Sequence, residues 1–254
     1  MSDDELKRCP FCDEEIRLKA LICKHCGQWM PGYTYESAIR DLVIHKQVTE
    51  LQPADPLEAK SREEQLQLVL NWANSEKNFS CKGFDLSAQN LSEADLSGID
   101  LSEADLRETD LSRANLSGAN LNRANLFSAN LKGANLQKAK LNEAYLRAAI
   151  LEYADLSSAS LLRANLRSAF MDQAILFRVD MEGANLKGVD LRRANLRESY
   201  LKETNLEGAK MEGAILRGAL MIRANLAGSD VTTFQYERAR TLEGTILPNG
   251  SVHE

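Results

Sequence analysis

Residues 114–126 read ANLSGANLNRANL, a run of the five-residue unit Ala-Asn-Leu-x-x. The unit extends in both directions, because every fifth residue from Leu86 to Leu226 is Leu or Met, without an insertion or a deletion. A small residue, usually Ala, stands two positions before most of these residues, and Asn or Asp stands between them in most units. A repeat this regular dictates the fold of more than half of the chain.

The period of five residues matches neither of the two standard secondary structures. An α-helix repeats its apolar face about every 3.6 residues and a β-strand every second residue, so Leu at every fifth position marks no single face. The period instead predicts a chain that runs extended for a few residues and turns a corner in each unit. Leu and Ala then point inward, Asn, Asp, Ser and Gly suit the corners, and successive coils pair at a strand spacing of about 4.8 Å.

This unit resembles that of the pentapeptide-repeat family over residues 84–230. The resemblance implies the fold of that family, a mainly β, right-handed, four-sided parallel β-helix (a solenoid) with four units in each coil. It further implies about seven coils and a rod of roughly 35 Å. The inward-facing centre of the family's unit corresponds to the Leu and Met series, and the core on one side comprises Leu86, Leu106, Leu126, Leu146, Leu166, Leu186, Leu206 and Leu226.

Two helices are predicted before the first coil. Residues 38–43 have apolar residues at helical spacing, and Ser61-Arg62-Glu63-Glu64 forms a capping box that starts the second helix. The second helix is predicted to cover the first coil, whose open end would otherwise expose backbone groups and Leu side chains. Apolar residues after the repeat are predicted to close the last coil; they are Phe234, Tyr236, Leu242 and Ile246.

The N-terminal segment contains the pattern CxxC-x10-CxxC, formed by Cys9, Cys12, Cys23 and Cys26. Two CxxC pairs place four thiolates around one tetrahedral Zn²⁺, and this arrangement is typical of zinc ribbons. The segment resembles short bacterial zinc-ribbon domains, although Asp13 stands where such domains commonly have Gly. We therefore predict a structural Zn²⁺ ion that supplies most of the stability of a segment with too small a core to fold alone.

Other interpretations of the cysteines stay open at the sequence level. Iron also occupies sites with four Cys ligands, so the pattern does not distinguish it from zinc. Two disulfides require an oxidising compartment, and a redox CxxC belongs next to a βαβ unit that this sequence lacks. Cys81 stands apart from the other four, and we interpret it as a buried or half-buried thiol beside the first coil.

These patterns divide the chain into four parts. The predicted zinc ribbon covers residues 1–32, a helical linker and N-terminal cap 33–83, the β-helix 84–230, and a C-terminal cap and tail 231–254. The composition is that of a globular chain, with 44% hydrophobic and 27% charged residues.

The sequence lacks the common catalytic motifs. It has no nucleophile elbow, phosphate-binding loop or HExxH motif, and its three His residues lie far apart in sequence. A four-sided rod filled with Leu and Ala leaves no interior cavity for a substrate, so we predict that the protein is not an enzyme.

No run of about 18 apolar residues is present, and the acidic start MSDDE lacks the apolar stretch of a secretory signal. We therefore expect a cytoplasmic protein without membrane insertion.

Apolar residues replace the polar consensus at outward positions in the C-terminal half of the repeat. Folding the sequence so that four units make one coil collects them into three groups, each on a different side of the rod. The groups are Ile150, Tyr153 and Phe170; Tyr200, Leu220 and Ile222; and Ile175, Phe177 and Ile215. Exposed apolar clusters mark partner-binding surfaces, and the alternative is that the tail or the preceding helices fold back over them.

Charge is unevenly distributed, with a net charge of −6 for the whole chain. Residues 85–110 carry eight acidic residues and one basic residue, whereas 84–230 as a whole carries 20 acidic and 18 basic residues. Arg147, Arg167 and Lys187 stack on one side, each four units after the one before. A solvated surface is the simplest interpretation of both features.

These observations favour a non-catalytic protein-binding or scaffold protein that uses the β-helix faces, with a zinc module for recognition.

The family resemblance implies an alternative, a DNA mimic that binds the type II topoisomerase DNA gyrase. Duplex DNA carries about one charge per 1.7 Å, a density that the near-neutral repeat does not reproduce. A third hypothesis is nucleic-acid binding through the ribbon, whose residues 1–33 form no basic stripe. A homodimer formed through the apolar groups or a rod end is a further hypothesis.

Overall fold

The structure, a computed structural model, describes residues 6–8, 15–17, 61–74 and 79–254. The chain divides into two units, Met1–Lys60 and Ser61–Glu254. In the first unit, strand β1 (Leu6–Arg8) pairs antiparallel with strand β2 (Glu15–Arg17). The helix predicted over 38–43 and the predicted metal ligands lie outside the described residues; those ligands are Cys9, Cys12, Cys23 and Cys26.

The second unit begins with helix α1 (Arg62–Leu70), which a 3₁₀ helix (Trp72–Asn74) follows. The predicted capping box is present, because the Glu64 N–H donates to the Ser61 hydroxyl at 3.2 Å and the Ser61 N–H donates to the Glu64 carboxylate at 2.9 Å. This reciprocal pair satisfies backbone donors that have no partner inside the helix and fixes its start. None of the helices among the described residues has the length and hydropathy needed to cross a bilayer.

Helix α1 and the 3₁₀ helix contact the first coils of the repeat. The Asp85 N–H donates to Gln65 Oε1 at 2.8 Å, and Trp72 Nε1 donates to the Ser97 carbonyl at 3.0 Å. Val69 and Trp72 are buried. These side chains satisfy backbone groups that have no preceding coil to pair with, which is the function expected of a cap.

The repeat forms a coil with four sides. The residue before each inward Leu or Met forms a parallel bridge with its counterpart four units later, as Asp85 does with Asp105, so one coil takes four units. We number the faces by these ladders: positions 85–225 define the first face, 90–210 the second, 95–215 the third and 100–220 the fourth. Each side contributes isolated bridges rather than extended strands, which explains why the described coil shows little regular strand.

The interior is filled by the Leu and Met series and by the small residues that precede it. The Leu stack predicted for one side has no exposed surface at any member: Leu86, Leu106, Leu126, Leu146, Leu166, Leu186, Leu206 and Leu226. At most positions where Thr or Ser replaces the inward Ala, the hydroxyl donates to a backbone carbonyl; the buried Ser229 hydroxyl is the exception among the described residues. Thr109 bonds to Leu86 and Thr204 to Met181, both at 2.8 Å, so these buried polar groups are satisfied.

The corners are made by a left-handed backbone conformation. The second residue after each inward Leu or Met has a positive φ, which lies between 54° and 61° at the non-glycine positions. Gly occupies some of these positions, but Arg, Glu and Ser occupy many others, such as Glu103, Arg123 and Ser158. Side chains other than Gly, Asn and Asp enter this region at a cost, so the regular pairing of the coils must hold the corners in place.

The coil continues past residue 230, the predicted end of the β-helix. Helix α2 (Thr233–Tyr236) interrupts it, and the ladders then resume, Thr241 pairing with Leu220 and Ile246 with Asn225. Leu242 is buried and takes part in closing the last coil, whereas Phe234 is 67% exposed beneath the Arg238 guanidinium.

Cys81 is buried beside the first coil, and we predict that its thiol does not react while the second unit is folded. Burial and the nearby Asp100 carboxylate raise its pKa to about 12, so almost no thiolate is present at neutral pH. Peptide-level mass spectrometry after iodoacetamide treatment should show Cys81 modified more than about a hundredfold more slowly than in urea-unfolded protein. Equal rates in the two samples would contradict its burial.

Candidate functional site

On the outer surface, the consensus Asn or Asp makes two kinds of hydrogen bond. The side-chain Oδ1 accepts from the backbone N–H two residues later, as in the 2.9 Å bond from Ser112 to Asp110. Asn side chains also donate to the preceding coil, as in the 3.0 Å bond from Asn130 Nδ2 to Asp110 Oδ1. The residue therefore stabilises its own turn and the stacking of neighbouring coils.

Where a polar residue replaces this consensus on the fourth face, a neighbouring coil restores the lost bond. Lys140 and Ser160 stand at ladder positions. The backbone N–H of Asn142 donates instead to Asn122 Oδ1 at 2.9 Å, and that of Leu162 donates to Asn142 Oδ1 at 2.9 Å. These coils therefore keep their hydrogen bonds despite the substitution.

Apolar residues at ladder positions behave differently. Their side chains cannot accept the turn hydrogen bond, and no other side chain of the described residues accepts from the N–H groups concerned. The residues are Ile150 and Phe170 on the second face, Ile175 and Ile215 on the third, and Tyr200 and Leu220 on the fourth. Each replacement removes a local stabilising contact and places apolar surface outside the core.

The three sequence-predicted groups are distinct clusters on the solenoid. Ile150 bridges directly to Phe170, and Tyr200 bridges directly to Leu220. Ile175 and Ile215 are separated by the coil of Asn195, so the third group is more open. We call them the second-face cluster (Ile150, Tyr153, Phe170), the third-face cluster (Ile175, Phe177, Ile215) and the fourth-face cluster (Tyr200, Leu220, Ile222).

Neither α1 nor residues 231–254 fold back over these clusters. Tyr153, Phe170 and Tyr200 are 51%, 48% and 49% exposed, and Ile175 and Ile215 are also exposed. Ile150, Phe177, Leu220 and Ile222 are half-buried. Within the second unit, the clusters are thus free surfaces.

Polar and charged groups surround the second-face cluster. Gln173 Nε2 donates to the Tyr153 hydroxyl at 3.0 Å, and Lys132, which pairs with Glu152 at 2.7 Å, lies 5.6 Å from the centre of the Tyr153 ring. Asp172 accepts hydrogen bonds from Arg193, which hold the pKa of its carboxyl below the ordinary value. An aromatic centre with a polar, ionised rim is typical of protein–protein interfaces.

The acidic first coils are interleaved with cations. Glu103 pairs with Lys82 at 3.3 Å and lies 4.0 Å from Arg123, and Glu93 pairs with Arg113 at 3.3 Å. Arg62 and Arg107 pair with further carboxylates of this region. The excess of acidic residues in 85–110 therefore does not form an uncompensated negative column.

Hydrogen-bonded carboxyls on the ladders predict acid sensitivity of the solenoid. Burial alone would raise the pKa of Asp100, but hydrogen bonds from Ser80, Ser102 and Asn120 outweigh it and lower the pKa below 3.8. Hydrogen bonds from Arg192 likewise lower the pKa of Asp190. Because these values are lower in the folded than in the unfolded chain, ionisation stabilises the fold above the ordinary Asp pKa, and this contribution is lost as the pH falls through the folded value.

We therefore expect the thermal midpoint of the second unit to stay level near neutral pH and to fall below about pH 4. Circular dichroism melts over a pH series test this. The Asp100→Asn and Asp190→Asn variants should lower the neutral-pH midpoint and flatten the acid slope. An acid slope unchanged in both variants would show that these carboxyls do not contribute.

Among the described residues, no group of three or more His, Cys, Asp or Glu side chains could hold a metal ion. Eight copies of the pentapeptide-repeat family model match the chain, spread over residues 79–233. The chain belongs to the pentapeptide-repeat family, and its four-sided coil is the right-handed quadrilateral β-helix of that family.

Solved structures of family members are similar to the chain. HetL, a pentapeptide repeat protein involved in heterocyst differentiation regulation from the cyanobacterium Nostoc, is 31% identical over 72% of this chain and 96% of its own, with a TM-score of 0.28. A pentapeptide repeat protein from the Arabidopsis thaliana thylakoid lumen is 32% identical over 44% of this chain and 70% of its own, with a TM-score of 0.28. QnrB1, a plasmid-mediated fluoroquinolone resistance protein, is 18% identical over 65% of this chain and 92% of its own, with a TM-score of 0.22. No curated protein matches the chain in sequence.

Proposed function

We propose that the protein is a non-catalytic binding or scaffold protein whose β-helix faces carry the interaction. One observation supports this most directly: apolar residues replace the Asn/Asp ladder at exposed positions, and the hydrogen bonds lost there are not restored, whereas those lost at Lys140 and Ser160 are. A partner that covers the clusters would remove apolar surface from water, at roughly 25 cal/mol for each Å². Pentapeptide-repeat proteins are generally non-catalytic scaffolds, which agrees with this function.

The proposal includes a zinc ribbon as a second recognition module in a cytoplasmic protein. The antiparallel pairing of β1 with β2 supports it, because Cys9 and Cys12 lie in sequence between these two strands. A CxxC pair in the connection of a hairpin brings two thiolates close together, and Cys23 and Cys26 would complete the tetrahedral set.

A DNA-mimic interaction with DNA gyrase is the second candidate, motivated by the acidic residues of 85–110. The ion pairs of Glu93 and Glu103 oppose it, since a mimic of duplex DNA needs negative charges that the protein itself does not neutralise. Nucleic-acid association through the ribbon remains the third hypothesis.

Affinity capture followed by mass spectrometry tests these proposals. The wild type is compared with Tyr153→Asp/Phe170→Asp, with the corresponding pairs Ile175→Asp/Ile215→Asp and Tyr200→Asp/Leu220→Asp, and with Cys9→Ser/Cys12→Ser. Ala88→Asp/Ser158→Asp is the matched control, because it adds the same charge at two exposed corner residues outside the clusters.

We expect a partner to be captured by the wild type and the control and to be lost from at least one cluster variant. Capture that survives in all three cluster variants would overturn recognition through these clusters. Loss in the cysteine variant alone would assign recognition to the ribbon, and capture of a topoisomerase would favour the second candidate.

A further inference from the structure

The first face carries a column of basic residues that includes Arg147, Arg167 and Lys187. They occupy the position after the inward Leu in three successive coils, and the parallel bridges set neighbouring members about 4.8 Å apart along the solenoid. Like charges in adjacent coils repel each other. Anionic groups near the column, or supplied by a partner, would reduce this repulsion.

Two arginines at the same position of other units have a counterion in their own coil, whereas Arg197 and Arg217, also at this position, form no ion pair with a described residue. Arg107 pairs with Asp105, and Arg192 pairs with Asp190 at 2.6 Å, in each case with the carboxylate two residues earlier. Lys187 pairs with Glu207 of the next coil at 2.9 Å. The local geometry is thus suited to neutralising a cation at this position.

Arg147 and Arg167 lack this counterion. The residues two positions earlier are Tyr145 and Asn165, so neither arginine has a carboxylate at the position that pairs with Arg107 and Arg192. Neither arginine forms an ion pair with any described residue, and Nη1 of Arg147 is buried with no hydrogen-bond partner. A buried guanidinium donor without an acceptor is destabilising. Arg147 as a whole is only half-buried, and an oxyanion that binds the accessible sides of the two guanidiniums would offset part of this cost.

The two unpaired arginines adjoin the second-face cluster. Arg147 precedes Ile150 by three residues, and Arg167 precedes Phe170 by three residues, in two adjacent coils. The corner residues between them are Ala148 and Ser168. The two cations and the apolar pair thus lie on either side of one corner of the coil, with two residues between them in the chain.

We propose that Arg147, Arg167 and the second-face cluster bind an acidic segment of a partner protein. A carboxylate of the segment accepts hydrogen bonds from the two guanidiniums, and a large apolar side chain of the segment packs on Ile150 and Phe170. Charge complementarity argues for an anionic partner, and the adjoining apolar pair argues for a polypeptide rather than a nucleic acid, whose binding needs a longer basic stripe. The inference rests on the proposed function, since it specifies the partner of one of its clusters.

Fluorescence polarisation with the full-length protein tests the inference. The probe is a fluorescein-labelled oligoglutamate peptide with one central Phe. Two further peptides, with Gln in place of Glu and with Ala in place of Phe, separate the contributions of charge and apolar contact. Arg147→Gln/Arg167→Gln is compared with Arg163→Gln/Arg217→Gln, which removes the same charge from exposed positions on other faces.

Binding of the probe should weaken by about tenfold or more in Arg147→Gln/Arg167→Gln, because charge-assisted hydrogen bonds are lost. The control variant should bind as the wild type does, and added salt should weaken wild-type binding. The Gln and Ala peptides should both bind less tightly than the probe.

Equal binding by the two arginine variants, no measurable binding by the wild type, or tighter binding of an oligothymidylate of equal length would overturn the inference. A different result would overturn the proposed function itself, namely capture of a partner that is unchanged in all three cluster variants. A partner that is lost with Tyr153→Asp/Phe170→Asp but retained with Arg147→Gln/Arg167→Gln would preserve the proposed function and reject the acidic segment.

Discussion

Leu166→Ala is expected to lower the free energy of unfolding of the second unit by about 3 kcal/mol. Leu166 lies between Leu146 and Leu186 in the inward stack, and none of the three has exposed surface. The substitution loses the transfer free energy of the removed atoms and leaves a cavity. The coil has little freedom to collapse around it, because the Leu166 N–H is bonded to the Asn185 carbonyl at 2.8 Å and each neighbouring coil is fixed in the same way.

Urea unfolding followed by circular dichroism measures this effect. Met171→Leu is the matched control, since it changes a buried residue of the same coil without removing volume and should cost less than about 1.5 kcal/mol. Phe170→Ala is the surface control, and it should cost less than Leu166→Ala because the Phe170 side chain is already 48% exposed. A loss below about 1 kcal/mol for Leu166→Ala would mean that the stack relaxes freely and that the coil is not rigid.

The four-sided coil follows from the sequence because the repeat has a single length and its inward positions admit few residue types. The same regularity assigns Ile150 and Phe170 to one face, and the structure bridges them directly. Past residue 230 the period fails. Helix α2 adds one residue to the step between coils, because Tyr200 pairs with Leu220 but Leu220 pairs with Thr241. Thr241 and Ile246 therefore stand one residue out of phase with the five-residue period, so the repeat pattern does not predict that they join the ladders.

Other features depend on contacts between coils and therefore have no local signature. The left-handed corners lie at residues such as Glu103 and Arg123, whose side chains show no preference for that conformation. The substitution at Ser160 is compensated by Asn142 in the preceding coil, a relation that no pattern within one unit reveals. The sequence also aligns Arg147 with Arg167, but the burial of Arg147 Nη1 appears only in three dimensions.

Removal of the proposed zinc ion is expected to unfold residues 5–30 and to leave the solenoid intact. The segment is too short to bury a sizeable core, so metal binding, which provides about 10–16 kcal/mol in small zinc modules, would supply most of its stability. The solenoid has its own continuous core, from Leu86 to Leu226, and its own cap in α1. The two parts should therefore lose structure independently.

Elemental analysis, together with amide NMR spectra recorded before and after chelation, measures this independence. The expected result is one bound zinc per chain and, after chelation, collapse of the amide signals of residues 5–30 while those of 79–254 keep their positions. Cys9→Ser/Cys12→Ser should reproduce the chelated state, and Cys81→Ser is the control that removes a cysteine outside the predicted ligand set. Detection of bound iron instead of zinc would identify iron as the metal of this site. A chain that contains no metal, and whose NMR spectrum does not change on addition of the chelator, would contradict the predicted zinc ribbon. The solenoid is expected to keep its clusters with and without metal. A partner that binds equally well before and after chelation would therefore be recognised by the β-helix faces. A partner that binds only the metal-loaded chain would be recognised by the ribbon.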